Sequence, residues 1–446
     1  MRFQTFEFKG RNVVLAALAA LAMLTLAGLL TLALMPRSLP EWVDQARAVV
    51  GPAPIAFAEN TFYGLADVYH RLTFRGRTTP SYWTSPTPLP PSAVTAPIQP
   101  PMPHMAAVKE QRPSLSVQAI PTLAPSPTPE PTPTPAPTAS PTPVFIFRPR
   151  DVSPLYSKLA APDEGVWVAM PNALDAKRAA PPLMYKTFLH PDPARPFARI
   201  AIVAIDATLV RLHAVAGTGE PVSPVPVERT GLIPASDLPS LVAAFNGGFR
   251  AMHGYYGMMV NVQILLPPQP RSDTIAIYPD GRVDIAPWPV ISDTLPQMES
   301  FRQTPPYLAY RGQLNPALVN ERSVVWGAAV DSNTVIWRSA LGLSADGRTL
   351  FYAAGESLTA RRLAEALVAA GASNAAELDV NWSFERFLTY APVNGHLAED
   401  VLLNGMMYQP GMYVSRPAER DFFYLTLALA APVGPASFRT GHTWGG

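Results

Sequence analysis

Proline decides which parts of this chain can fold. Between residues 86 and 143 proline alternates with Thr, Ser and Ala, and the stretch ends in PTPEPTPTPAPTASPTP at 127–143. A proline nitrogen donates no hydrogen bond to a helix or a sheet ladder, so this segment has no means of building a core. Its composition favours extended polyproline II at about 3.1 Å per residue. Residues 86–144 are therefore expected to be a disordered Pro/Thr/Ser-rich linker, a spacer of a composition that suits glycosylation. A PxxP ligand reading is set aside, because domains that read such motifs are cytoplasmic and the next observation places this segment outside.

Residues 13–35 carry no charge and are long enough to cross a hydrocarbon core with some tilt. The run ends in Leu34, Met35 and Pro36 rather than in a small-residue cleavage site, so a transmembrane helix is expected instead of a cleaved leader. Arg2, Lys9 and Arg11 precede it, whereas Arg37, Glu41 and Asp44 follow. The positive-inside bias puts residues 1–12 in the cytoplasm and the rest of a single-pass protein outside it. Residues 36–85 read as a juxtamembrane helical segment. Ser38 and Glu41 have capping-box spacing before Trp42, Val43, Ala46, Val49 and Val50, and a second helix over 55–74 sets Phe62, Leu65, Tyr69 and Leu72 on one stripe. Packing of this pair on itself or on the bilayer surface outweighs partner binding as an expectation.

The whole chain, 446 residues with 48% hydrophobic content, can bury a large core. A formal net charge of +1 with 15% charged residues gives no field that would collect nucleic acid. Without cysteine there is no disulfide, thiolate metal site or cysteine nucleophile. The seven histidines are scattered without metal-ligand spacing, so no metal site is expected. The serine-hydrolase elbow, phosphate loop, dinucleotide fingerprint and H-E-x-x-H signature are all missing.

Residues 145–446 should form one domain. Apolar runs of strand length occur at 199–207, 241–245 and 274–278, and Asp280 and Gly281 make a hairpin turn into 282–286. A second hairpin, turning at Asp346 and Gly347, joins 335–344 to 348–353. A helix over 358–370 then ends at Gly371, and 377–380 reads as a buried strand. The predicted class is α+β: a mixed, largely antiparallel sheet domain with packed helices.

Three short constellations carry the chemistry. In the first, an apolar strand ends in Asn246, Gly247, Gly248 and Phe249, residues that permit positive φ and close approach to a ligand; a tight turn alone would also explain them. In the second, strand period two sets Arg338 on a face with Ile336, Ala340 and Gly342, leaving room for a guanidinium to grip phosphate or carboxylate; a structural ion pair is as common. The third is Glu377 to Ser383, where period two puts Glu377, Asp379 and Asn381 on one face.

In this order the blocks resemble the phosphodiester glycosidase family, enzymes that hydrolyse sugar-phosphate diesters. The family's N-G-G-F block is matched by residues 246–249 and its R-[ST]-A-I-G strand by 338–342. Its G-x-S-L is met at Gly355, Ser357 and Leu358, followed by a helix, Gly371-Ala372 and Leu378-Asp379. A late segment near Arg416 and Pro417 resembles the family's closing arginine-containing strand. Where the family carries G-G-G-S after the aspartate, this chain has Val380, Asn381, Trp382 and Ser383, which should close or reshape the pocket.

The resemblance implies a surface-tethered hydrolase-like domain for a glycosyl phosphodiester in an envelope glycan. By analogy Asp379 would do acid/base work or hold a cation, and Arg338 would neutralise phosphate. Asn246 with the Gly247 and Gly248 amides would orient substrate, and Asn381, Trp382 and Ser383 would line the pocket. Glu377 is a second candidate carboxylate, about 7 Å from Asp379 along an ideal strand, against the alternative of an ordinary paired strand residue. An alternative is a catalytically degenerate glycan- or protein-binding module, with Trp382 stacking on sugar or simply filling core. A head that only serves as structure is the third reading.

Overall fold

The computed structural model describes residues 52–74, 81–83, 147–170, 174–175, 181–319, 326–327, 335–381, 383–393 and 396–428. The expected cytoplasmic segment, the charge-free run 13–35, the first juxtamembrane helix, the Pro-rich segment and Trp382 lie outside the described residues. Among the described residues no helix is long and apolar enough to cross a membrane.

The first element among the described residues is α1 (Pro52–Phe74). Strands β1 (Val168–Ala169), β2 (Met184–Leu189), β3 (Ile200–Asp206), β4 (Val210–Val215) and β5 (Leu241–Asn246) follow, then β6 (Met258–Val260), β7 (Gln263–Leu266), β8 (Asp273–Ile277) and β9 (Val283–Pro287). After a short helix α2 (Trp288–Ile291) come β10 (Ser300–Thr304), β11 (Ala309–Tyr310), β12 (Gln313–Leu314) and the turn of helix α3 (Pro316–Val319). The long hairpin β13 (Ile336–Leu343) and β14 (Thr349–Leu358) leads into α4 (Ala360–Ala369) and β15 (Asn374–Glu377). The described chain closes with β16 (Phe387–Val393), β17 (His396–Val401) and β18 (Phe422–Leu427).

These strands form three sheets. The largest has eight strands in the order β1-β2-β3-β14-β13-β15-β11-β12; the others are β7-β6-β10-β8-β9 and β17-β16-β5-β18-β4. Every ladder between the named strands is antiparallel, as in the pairing of β13 with both β14 and β15, so the sheet is less mixed than the sequence suggested.

The large sheet is buried on both faces, which is why β3 is apolar without alternation. Ala201, Val203 and Ile205 of β3 join Leu341, Tyr352 and Leu378 in a core shared with Phe245, Phe387 and Phe423 of the β5 sheet. Ile202 and Ala204 face the other way, against Leu363, Ala364 and Leu367 of α4. Thr359 caps α4 by accepting from the Arg362 N–H, and Gly371 ends it at φ 110°. Both expected hairpin glycines, Gly281 and Gly347, have positive φ (90° and 70°).

The folded body also starts earlier than residue 145. Arg195 grips Asp67 of α1 with two hydrogen bonds, 2.7 Å to Oδ1 and 2.9 Å to Oδ2, and donates to Asp192 as well. His70 and Phe74 pack on the Phe197 ring. Ser81 Oγ donates to the Pro162 carbonyl, the Tyr82 hydroxyl donates to the Arg199 carbonyl, and Tyr82 and Trp83 stack beside Phe188. Residues 52–74 and 81–83 thus belong to the same body as the domain rather than to a separate juxtamembrane segment.

Candidate functional site

The strand ends that carry the motifs meet. β5 delivers Asn246 at its C-terminal end, β13 delivers Arg338 and Ser339, and β15 ends on Glu377. Arg302 on β10 and the chain entering β16 and β18, with Glu385, Arg386, Arg420 and Asp421, complete the cluster.

Ser339 joins the first and third motifs. Its Oγ accepts from Asn246 Nδ2 at 2.9 Å and from the Asp379 N–H at 3.3 Å, while its own N–H donates to the Asp379 carbonyl at 3.0 Å. Asn246 is satisfied throughout. Its Oδ1 accepts from the Tyr352 hydroxyl and the Arg386 N–H, and Nδ2 also donates to the Gly247 carbonyl. At 4% exposure it holds strands together and has no hydrogen-bonding capacity left for substrate.

The two glycines are needed for a different reason than expected. Neither Gly247 nor Gly248 has positive φ. A Cβ on Gly247 would lie 2.1 Å from Asp421 Oδ2, and one on Gly248 would lie 3.1 Å from the Arg302 guanidinium carbon. The close approach is to an internal ion pair: Asp421 accepts from Arg302 Nε at 2.8 Å and from the Gly248 N–H at 3.0 Å.

Arg338 likewise departs from the expectation of a guanidinium with room beside it. It is 1% exposed, donates to the carbonyls of Leu358 and Trp326, and meets Glu377 Oε1 at 2.5 Å. A bulge between Ile336 and Arg338 breaks the period-two pattern from which an open face was inferred. Its donors are committed inside the protein, so phosphate neutralisation does not fall to Arg338.

The expected strand over 377–380 is β15 three residues earlier, ending at Glu377. Beyond it the chain turns, with the Phe384 and Glu385 N–H groups both donating to the Asn381 carbonyl. Glu377, Asp379 and Asn381 therefore take separate partners. Glu377 pairs with Arg338, Asp379 Oδ2 meets Arg420 Nη2 at 2.6 Å, and Asn381 Oδ1 accepts from the N–H and hydroxyl of Ser383.

Electrostatics set this cluster apart from ordinary packing. Burial drives the Glu377 carboxyl up to about 7 against the opposing pull of Arg338. Burial also raises Asp379, opposed by Arg420, and pushes Glu385 well above the carboxylate range with help from the Asp379 charge. One oxygen of Glu377 and one of Glu385 have no hydrogen-bond partner. The Tyr256 phenol, raised to about 12 mainly by burial, senses the Glu377 charge. These buried acids lie next to paired guanidiniums, the Arg420 one 4.1 Å over the Phe384 ring.

Sequence reasoning missed Ser339, Glu385, Arg420, Asp421 and Arg302. The usable signal was Arg420-Asp421, a charged pair directly before the apolar strand β18, four residues past Arg416, which is exposed. Among the described residues no group of three or more acidic or histidine side chains is placed to hold a metal ion. A cavity of about 690 Å³ lies at the opposite ends of β13 and β15, lined by Arg282, Tyr310, Arg311, Asp346 and Asn374, and contains none of these side chains.

Residues 239–379 match the phosphodiester glycosidase family. Among solved structures, the chain is similar to the zebrafish N-acetylglucosamine-1-phosphodiester alpha-N-acetylglucosaminidase catalytic domain auto-inhibited by pro-peptide, with 14% identity, TM-score 0.37, and 56% of this chain and 84% of that one covered. A hypothetical protein from Synechocystis aligns at 11% identity and TM-score 0.33 over 52% of this chain and 59% of the other. A putative exported protein from Burkholderia pseudomallei aligns at 9% identity and TM-score 0.32 over 55% and 75%. A search of curated proteins gave no match.

Proposed function

We propose, on the premise that residues 239–379 belong to the phosphodiester glycosidase family, that this protein hydrolyses a sugar-phosphate diester of an envelope glycan. The observation that carries the proposal is Glu377, a buried carboxyl brought to about 7 in the matched block, two residues from Asp379. A base for neutral pH needs that poise. In the reaction, a water oxygen bonds to the anomeric carbon as the bond from that carbon to the phosphate oxygen breaks, and Glu377 takes the water proton. The phosphate monoester leaves without needing a proton, since its second pKa is about 6. Asp379, paired with Arg420, is assigned the negative charge that faces the oxocarbenium-like centre.

The proposal includes the location. The charge-free run 13–35 with Arg2, Lys9 and Arg11 before it supports a single-pass anchor with the N-terminus in the cytoplasm and the hydrolase outside.

The test is hydrolysis of an aryl and sugar phosphodiester panel by the full chain, with Asp379→Asn as control. Turnover by wild type that falls at least a hundredfold in the variant supports the proposal. An Asp379→Asn protein with full activity overturns the assignment of residues.

One observation favours a second reading, a glycan-binding module without turnover. Arg302, Arg338 and Asn246 all spend their polar groups on internal partners. Binding of envelope polymers that survives in Asp379→Asn, with no turnover by wild type, selects that reading.

A further inference from the structure

The helix α1 is docked the wrong way round for a helix facing water. Its contacts to the domain are made by Asp67, His70 and Phe74, through the Arg195 ion pair and the Phe197 ring. Leu65 and Tyr69 stand two residues either side of Asp67, and Phe62 and Leu72 five residues either side. At 3.6 residues per turn all four lie roughly 140–160° round the axis from Asp67. Leu65 is 61% exposed, Tyr69 64%, Leu72 61% and Phe62 39%, with Val68 beside them at 53%. An amphipathic helix on a water-facing surface buries its apolar stripe and shows its polar one. Here the Arg195 ion pair and the Phe197 ring hold the helix down while the apolar stripe points outward, where a second apolar phase would cover it.

We infer that this outward stripe lies in the interface of a lipid bilayer, holding the domain down against the membrane. The inference rests on the anchor proposed for residues 13–35. Only sixteen residues, 36–51, separate that run from Pro52, a reach of at most about 55 Å even fully extended. Each molecule thereby carries its stripe within reach of a bilayer, with no second chain needed. Tyr69 suits such a depth, its ring apolar and its hydroxyl able to meet headgroups. The flanks of the Pro-rich segment agree. Ser81 to Trp83 pack on the domain before it, and Phe147, 5% exposed with its ring against Tyr185, packs on the same domain after it. Trp83 and Phe147, the described residues that flank the Pro-rich segment, are thus held on one body.

The chain has no cysteine, so single-cysteine variants of the full protein report one position each. Leu65→Cys and Tyr69→Cys, both at exposed positions, and Asp346→Cys in the β13–β14 turn as control, are nitroxide-labelled and reconstituted into phosphatidylethanolamine/phosphatidylglycerol vesicles. Labels at 65 and 69 should relax several-fold more with oxygen than with a water-soluble nickel chelate, relative to the label at 346. A chain that floats with vesicles but whose labels at 65 and 69 match 346 overturns the docking and leaves the anchor standing. Spin–spin broadening between labels at 65 also overturns it, since a second copy then covers the stripe. A chain that does not float overturns the anchor itself.

Discussion

Arg420 Nη2 lies 2.6 Å from Asp379 Oδ2, joining the end of the family-matched block to the segment that opens β18, with both side chains less than a tenth exposed. Arg420 thus serves Asp379, as Arg338 serves Glu377.

Breaking that pair should cost stability as well as activity. Arg420→Ala leaves a buried carboxylate without its partner, an effect of about 3–5 kcal/mol. Urea unfolding should show the loss, and Arg420→Ala combined with Asp379→Asn should be less destabilised than the sum of the single variants. Additive losses would mean that the two groups do not act as a pair.

The pH dependence of both activity and stability should carry the mark of Glu377. Acting as a base, it makes kcat/KM rise with pH to a plateau above about 7. For stability the sign is opposite. A carboxyl whose folded value of about 7 exceeds its ordinary 4.5 stabilises the fold while protonated, fully so below 4.5, and that contribution, about 3 kcal/mol, is lost as pH rises through 7. Glu377→Gln should lose the activity rise and flatten the decline of unfolding free energy between pH 4.5 and 7. An unchanged slope would place the titration elsewhere.

Two glycines should respond oppositely to alanine. Gly247→Ala drives a Cβ into the Asp421 carboxylate and should destabilise by about 2–3 kcal/mol, through overpacking. Gly64, inside α1, has nothing within 4 Å of the added atom, and Gly64→Ala should be neutral or stabilise by about 0.5–1 kcal/mol. Calorimetric melting of the two variants checks both. Equal effects would show that the packing around Gly247 is not what requires glycine.

Releasing α1 should be separable from unfolding the domain. Arg195→Ala removes two hydrogen bonds to Asp67 and one to Asp192. Limited proteolysis should then cut within 52–74 well before the domain is attacked, while the main melting transition falls by a few degrees at most. Unchanged protection of the helix would assign its docking to the Phe197 contacts alone.

The sequence by itself determined much of the framework. Asp280-Gly281 and Asp346-Gly347 place turns with little dependence on what surrounds them, because they need positive φ, and Thr359 and Gly371 bracket α4 for similarly local reasons. The proline run 86–143, which lies outside the described residues, reads as a linker on backbone chemistry alone, and the order of the three motifs resembles the family that residues 239–379 match. What only the tertiary structure decided is partnership. Arg338 looked open because strand period fixes which face a side chain takes, but not which distant carboxylate waits there. Gly247 and Gly248 looked like a ligand cradle because a sequence shows a missing Cβ and not the Asp421 and Arg302 that fill its place from 174 and 54 residues away. Glu385 gave no local signal, and Arg420-Asp421 gave only a charged pair ahead of an apolar strand, with nothing to say which carboxylate it meets. A buried charge is set by desolvation and by its neighbours, both of which come into being only when β5, β13, β15, β16 and β18 bring their ends together.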